Sequence, residues 1–469
     1  MDIIHTMSLS MALWKPRIAA TAKYKHQGIV DALTADIAAR LLSPGDTLPP
    51  QREIARQLGV DLTTVTRALN EARRLDLIEA RPGSGTFIKT RPTQARPATP
   101  VAELDLSMNI PPQPAEAGLP DRIAEAVSSL LAGPSSRFLS YQEIMGTAAA
   151  RHAAAQWLTP RFGNAPSPDS ILVAGGAQSA LFAICSLVAA NGSICAGVRT
   201  YPGLKSVATT LGLTLHPLAM DQFGILPQAF EQCCRDHAPK ALYIVPSIDN
   251  PTTATMPLKR RQEIAAIASR YRIAIIEDDP YAELLDEPLP AIASLAPDLT
   301  WHIATLSKCA TPALRIAFVA CPSPLDVLKL ASCLRASNPG TSPLLSALVT
   351  SWIEGGILQR IAVAIRDESR ARQSLAAVIL KHWKYAAEPA GHHLWLTLPE
   401  HWNAREFAAL ARRSGLGIVP ASAFDIGPSS ESAVRISLGA APDRAHLEQG
   451  LTLLDRLLHA PQFTTGLIV

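Results

Sequence analysis

Short β-branched runs alternating with Ala/Leu-rich stretches constrain most of this chain. ILVAGG (171–176) precedes SALFAICSLVAA, ALYIVPS (241–247) precedes KRRQEIAAIASRY, and RIAIIEDD (272–279) and WHIATLS (301–307) follow. Uninterrupted apolar strands, each answered by a helix, fit parallel strands buried on both faces, so this part is an α/β domain. Functional groups in such a sheet collect at the carboxyl ends of the strands. With 469 residues the chain exceeds one small core and suits two or three domains. Its composition, 48% hydrophobic and 18% charged, excludes a disordered chain.

The first ninety residues follow a different pattern. From Gln27 to Leu42, Ile29, Leu33, Ile37 and Leu41 form one helical stripe, and the turn LSPGDTLPP ends it. A second helix begins near Pro50 and runs QREIARQL to Gly59. A third, LTTVTRALNEARRL, has Asp61 as N-cap and Leu62, Val65, Leu69, Ala72 and Leu75 as its apolar stripe. Thr63, Thr66, Arg67, Asn70 and Arg74 cluster on the opposite face. Hydroxyls, an amide and guanidinium groups there suit phosphates and base edges in a major groove, although a merely solvated face reads the same way. LIEARPGSGTFIKT then gives two short strands joined at Gly83-Ser84-Gly85, the tip of a wing. Residues 1–99 hold 14 Lys+Arg against 9 Asp+Glu, so the basic excess sits where nucleic acid needs it.

The ordered set PGDTLPPQREIA, GVDLTTVTRAL and GSGTF resembles the GntR-type winged helix-turn-helix over some 75 residues. The resemblance implies that Arg52, Thr64, Arg67 and Gly85 lie at or near double-stranded DNA, with Thr63, Thr66, Asn70 and Ser84 on the same surface. Leu62 departs from the polar or basic residue of many relatives, so base preference does not carry over.

RPTQARPATPVAE (91–103) has three prolines and no apolar periodicity. It reads either as a semi-rigid spacer, reaching ~40 Å at ~3.1 Å per residue, or as an ordinary surface loop. The expected division is a DNA-binding domain at 16–90, this linker at 91–103 and a large domain at 104–460. Seven cysteines without CxxC or metal-ligand spacing read as reduced thiols, and no metal site is expected. The N-terminus lacks the features of a secretory signal and no apolar run reaches membrane-helix length, so a cytoplasmic protein is expected.

The candidates in the large domain fall at strand ends. Lys308, in TLSKCATPALR, ends an apolar segment where an amine can lose its proton and form a Schiff base with an aldehyde. Alone it would usually be solvated, but its neighbours are informative. Asp278 ends the strand IIED and can pair with a pyridinium nitrogen, or else cap a helix. Tyr281 and Asn250 can reach a ring phenolate oxygen, and Arg315 offers a bidentate clamp for phosphate. Gly176-Ala177-Gln178 opens a helix, where amides and dipole favour an anion. Tyr201 can stack on a ring or pack in a turn.

Together these residues resemble fold-type I pyridoxal-phosphate enzymes of the class I/II aminotransferase family. YQEIMG, GGAQSAL, TYPG, SIDNP, EDDPY, TLSK, PALR and VRISLG occur in the expected order over roughly 104–457. The resemblance implies pyridoxal 5'-phosphate as cofactor, Thr305 near its phosphate and Tyr141 reaching that phosphate from a neighbouring subunit, hence a homodimer. Arg435 would hold the carboxylate of an amino-acid-like ligand, the alternative being a strand-edge salt bridge. Thr253, Ala313 and Ala421 replace usual glycines, which points to cofactor binding over efficient turnover. Winged helix and aminotransferase-like domain together resemble the MocR subfamily of GntR regulators. That implies a transcription regulator sensing pyridoxal 5'-phosphate or an amino compound through an aldimine at Lys308, and an operator of two half-sites. An active aminotransferase with an accessory DNA-binding domain is the alternative.

Overall fold

The computed structural model describes residues 14–18, 24–39, 41–42, 45–75, 77–81, 85–89, 104–133, 138, 140, 142–337, 340–427 and 432–460. Ser84, Tyr141 and the proposed linker 91–103 lie outside them. The chain divides into two compact units, Met1–Thr99 and Pro100–Val469.

In the first unit α1 (Lys25–Ala38), β1 (Thr47–Leu48), α2 (Gln51–Leu58), α3 (Leu62–Arg74), β2 (Ile78–Arg81) and β3 (Gly85–Ile88) follow in order. The strands form one antiparallel sheet, β1-β3-β2. Ile29, Leu33, Ile54, Val65, Leu69, Ile78 and Ile88 make the core, joined by Trp14, whose indole donates to Asp36 at 2.9 Å. Two expectations change here. The first helix stops at Ala38, because the amides of Leu41 and Leu42 both turn back to the Asp36 carbonyl. Leu41 is therefore exposed and Leu42 fills the core instead. Leu62 and Leu75, at the ends of the α3 stripe, are also exposed, and Ala68 is buried in the core beside Leu69. The stretch read only as a turn also supplies β1, which pairs with the wing strand β3 through Thr47 and Leu48.

The second unit is built on a seven-stranded sheet. From one edge its strands are Ile171–Ala174, Ala317–Ala320, Thr300–Thr305, Ala274–Asp278, Ala241–Ile244, Ser193–Gly197 and Thr214–Leu218. The sheet is mixed: Ala317–Ala320, a strand the sequence pattern did not mark, runs antiparallel to both neighbours. It follows Lys308 closely, and so short a return cannot make the long crossover that a parallel strand needs. Helices cover both faces, giving separate apolar layers around Leu158, Leu348 and Trp352 and around Leu181, Leu204 and Leu330. A smaller four-stranded sheet, Tyr385–Ala387, His393–Thr397, Ala433–Ser437 and Val419–Pro420, packs under Ala404–Arg413 and Arg444–His459. Among the described residues no single helix is long and apolar enough to cross a membrane.

Candidate functional site

Alternation along strand Ala274–Asp278 assigns its acids to different jobs. Glu277 accepts from the amides of Ile292 and Ala293 at 2.7 and 3.0 Å and contacts His302 Nδ1 at 2.9 Å. Asp279 pairs with Arg161 at 2.5 Å. Both anchor the sheet. Asp278 instead lines a cavity of about 310 Å³ that also touches Gly176, Ala177, Gln178, Tyr201, Asn250, Tyr281, Thr305, Lys308 and Arg315. The structure thus brings together every described cofactor-site candidate.

The cavity has two electrostatic ends. At one, Gly176 begins helix Ala177–Val188 with φ +107°, a conformation L side chains rarely adopt. A Cβ there would lie 3.9 Å from the Arg315 guanidinium carbon, so a cation and a helix N-terminus converge on one point. Thr305 Oγ1 lies 3.0 Å from Ser307 Oγ and 3.2 Å from the Ile316 carbonyl, while Ser307 itself also lines the cavity. At the other end Tyr243 donates to Asp278 Oδ2 at 2.8 Å, and Oδ1 is buried without a hydrogen-bond partner among the described residues. Burial, opposed by the Tyr243 bond, pushes the Asp278 carboxyl up to about 6. Lys308 lines the same cavity. Burial first, then the charge of Arg435, brings its amine down to about 8.

Arg435 is not part of the cavity lining. Its guanidinium donates to Asn250 Oδ1 at 2.8 Å and to the Ser107 carbonyl, stands 5.0 Å over the Phe424 ring, and keeps Nε buried without a partner among the described residues. Thr253 does occupy the left-handed region, φ +65°, where glycine is usual. Ala313 and Ala421 lie in short 3-10 turns without positive φ, so neither position requires a glycine.

Sequence reasoning missed Tyr243, Ser307, Asn109 and His393. Asn109 Nδ2 lies 2.8 Å from Tyr281 Oη, and the Asn109 carbonyl accepts from Lys308 Nζ. A tyrosine within an otherwise apolar strand was the one available signal for Tyr243, since a buried phenol needs a polar partner.

On the DNA side, Arg52, Thr63, Arg67 and Asn70 are exposed, and Thr64 is half-buried. Thr66 is tied down: its hydroxyl lies 2.9 Å from both Gln51 Oε1 and the Leu62 carbonyl. Asn70 Oδ1 accepts from Arg73, and Arg74 pairs with Glu71 at 2.6 Å. Arg67 makes no hydrogen bond or ion pair among the described residues. Gly85 begins β3 with φ +116° and no crowding neighbour, so conformation accounts for the glycine.

Residues 102–454 match the family model "Aminotransferase class I and II", and residues 25–88 match "Bacterial regulatory proteins, gntR family". The chain is 32% identical over 451 residues to the uncharacterized HTH-type transcriptional regulator YdeF of Bacillus subtilis, covering 95% of this chain and 96% of that one. It is 26% identical to the probable rhizopine catabolism regulatory protein MocR of Rhizobium meliloti, over 83% of this chain and 82% of that one. The alpha-aminoadipate aminotransferase LysN of Thermus thermophilus, solved with N-(5'-phosphopyridoxyl)-L-leucine, shares the fold of the large unit. Its TM-score is 0.70 at 23% identity, covering 78% of this chain and 95% of that one.

Pyridoxal 5'-phosphate is the cofactor of the large domain. The cavity fits it: a cationic end for phosphate, a carboxylate oxygen unpartnered among the described residues for a ring nitrogen, and a lysine in the same lining. With both domains matched in one chain, this protein belongs to the MocR subfamily of the GntR family, DNA-binding transcription regulators that carry an aminotransferase class I and II domain.

Proposed function

We propose that this regulator senses an amino compound, or the cofactor itself, through pyridoxal 5'-phosphate held at Lys308, and that occupancy changes its hold on DNA. The observation that carries this reading is the half-buried Lys308 amine lining one cavity with the Asp278 oxygen left unpartnered among the described residues and with Arg315. When bound, the cofactor supplies an aldehyde carbon that exchanges amines and a ring that draws electrons. The chain's residues do the rest. Arg315, Thr305, Ser307 and the helix start at Gly176, Ala177 and Gln178 hold the phosphate. Asp278 holds a proton on the ring nitrogen. Tyr281 and Asn250 face the phenolate oxygen, and Tyr201 covers the ring. With its amine near 8, a useful fraction of Lys308 is neutral and nucleophilic at physiological pH. Arg435, steadied by Asn250, meets a ligand carboxylate.

The same reading makes the protein a cytoplasmic homodimer, with Tyr141 of the partner subunit completing the phosphate site. Its operator has two half-sites, read by Arg67, Arg52, Thr63, Thr64, Thr66 and Asn70 and by the wing at Ser84 and Gly85. We place the domains at 16–90 and 104–460 with the linker 91–103 between them. The unit boundary between Thr99 and Pro100 supports this division, and Trp14 also packs in the first core. Turnover as an aminotransferase is the second reading, favoured by the unstrained backbone at Ala313 and Ala421.

The experiment is an absorbance spectrum of the purified protein, followed by titration with amines and by borohydride. A visible band, fixed by borohydride as added mass on Lys308 and altered by an amine, is expected. A colourless protein that takes up no added cofactor would contradict the reading.

A further inference from the structure

Asn109 links two buried side chains far apart in sequence. Its Nδ2 lies 2.8 Å from Tyr281 Oη and 3.1 Å from His393 Nδ1, and all three residues are buried. The hydrogen positions follow from a single fixed point. His393 Nε2 lies 3.2 Å from the Asp249 carbonyl, which can only accept, so Nε2 carries the proton. Burial, followed by the charge of Arg435, pushes the His393 imidazole down to about 3, so the ring is neutral and Nδ1 is bare. Only an N–H of Asn109 can satisfy that nitrogen, which fixes the amide with Nδ2 toward His393. The other N–H of the same group then donates to Tyr281 Oη. Tyr281 is an acceptor there, and among the described residues its own proton goes to no other group.

We propose that Asn109 and His393 are positioning residues that fix the Tyr281 hydroxyl as a donor into the cavity, toward the phenolate oxygen of bound pyridoxal 5'-phosphate. This rests on the cofactor reading above. A reversed Asn109 amide would present its oxygen to Tyr281 and draw the phenol proton away from the cavity.

Tyr281 also faces Arg435, Asp278, Asp249 and Tyr201, so single variants do not isolate the pair. A double-variant cycle read by pH titration of the holoprotein's visible band does. A donor favours the anion, so its loss raises the midpoint, by about one unit for Tyr281→Phe. His393→Phe and Asn109→Ala are expected to reproduce at least about half of that shift, and neither adds to it in a Tyr281→Phe background. His393→Gln, able to accept from Asn109 and donate to Asp249, stays near the wild type. Should His393→Phe not fold, Asn109→Ala completes the cycle. Additive shifts, or His393→Gln shifted as far as His393→Phe, overturn the positioning role. A wild-type protein without any visible band, even with added cofactor, overturns the cofactor reading and this inference with it.

Discussion

Tyr243 donates to Oδ2 of Asp278 at 2.8 Å, and Oδ1 of the same carboxylate is buried without a partner among the described residues. Half of this acid is satisfied by the protein and half is left for a ligand, and burial pushes its carboxyl up from 3.8 to about 6. A folded value above the unfolded one means that the folded state binds more protons between them. Stability of the cofactor-free protein therefore falls as pH rises through that window.

Asp278→Asn is accordingly expected to act in opposite directions. It stabilises the cofactor-free protein above about pH 6 by about 1–3 kcal/mol and weakens cofactor binding at least about tenfold. Denaturant unfolding at two pH values and a cofactor titration check both arms. A destabilised variant with unchanged cofactor affinity would contradict the assignment.

Lys308 carries the matching prediction for a base. Burial lowers its amine from 10.5 to about 8. Between those values the unfolded chain binds the extra proton, so stability of the cofactor-free protein rises with pH across that window. Below it the charged amine is held at a cost. Lys308→Met should stabilise the cofactor-free protein at neutral pH by up to about 3 kcal/mol and flatten the rise. Thermal melts across the window measure this, and a wild-type protein that loses stability there would refute it.

In the DNA-binding unit two of the three arginines of α3, Arg67 and Arg74, should behave differently. Arg67 is exposed and unengaged among the described residues, whereas Arg74 is paired with Glu71. Arg67→Ala should weaken operator binding by roughly 1–3 kcal/mol if it meets a base edge and less if it meets phosphate, while Arg74→Ala costs less than about 1 kcal/mol. Affinity should fall steeply with salt. Equal effects of the two variants, or a flat salt dependence, would remove α3 as the reader.

The strands ILVA, ALYI and AIIED were legible because buried strands read as unbroken apolar runs, and their ends locate Asp278 and Lys308. The antiparallel strand Ala317–Ala320 was not, since burial on both faces erases any mark of direction. The end of α1 was misread because apolar periodicity continued to Leu41 after the helix had ended at Ala38. Asn109 stands 172 residues from Tyr281 and 284 from His393, a separation over which no local pattern in a single sequence operates.

If occupancy at Lys308 governs the hold on DNA, a binding isotherm shows it. Operator affinity of the full chain is measured by fluorescence anisotropy without cofactor, with pyridoxal 5'-phosphate, and with cofactor plus amines, for the wild type and Lys308→Ala. Cofactor or amine is expected to change wild-type affinity about fivefold or more, in the range of ordinary coupling between sites, and Lys308→Ala to be unresponsive. Equal wild-type affinity under all conditions, or an equal response in Lys308→Ala, would contradict such coupling.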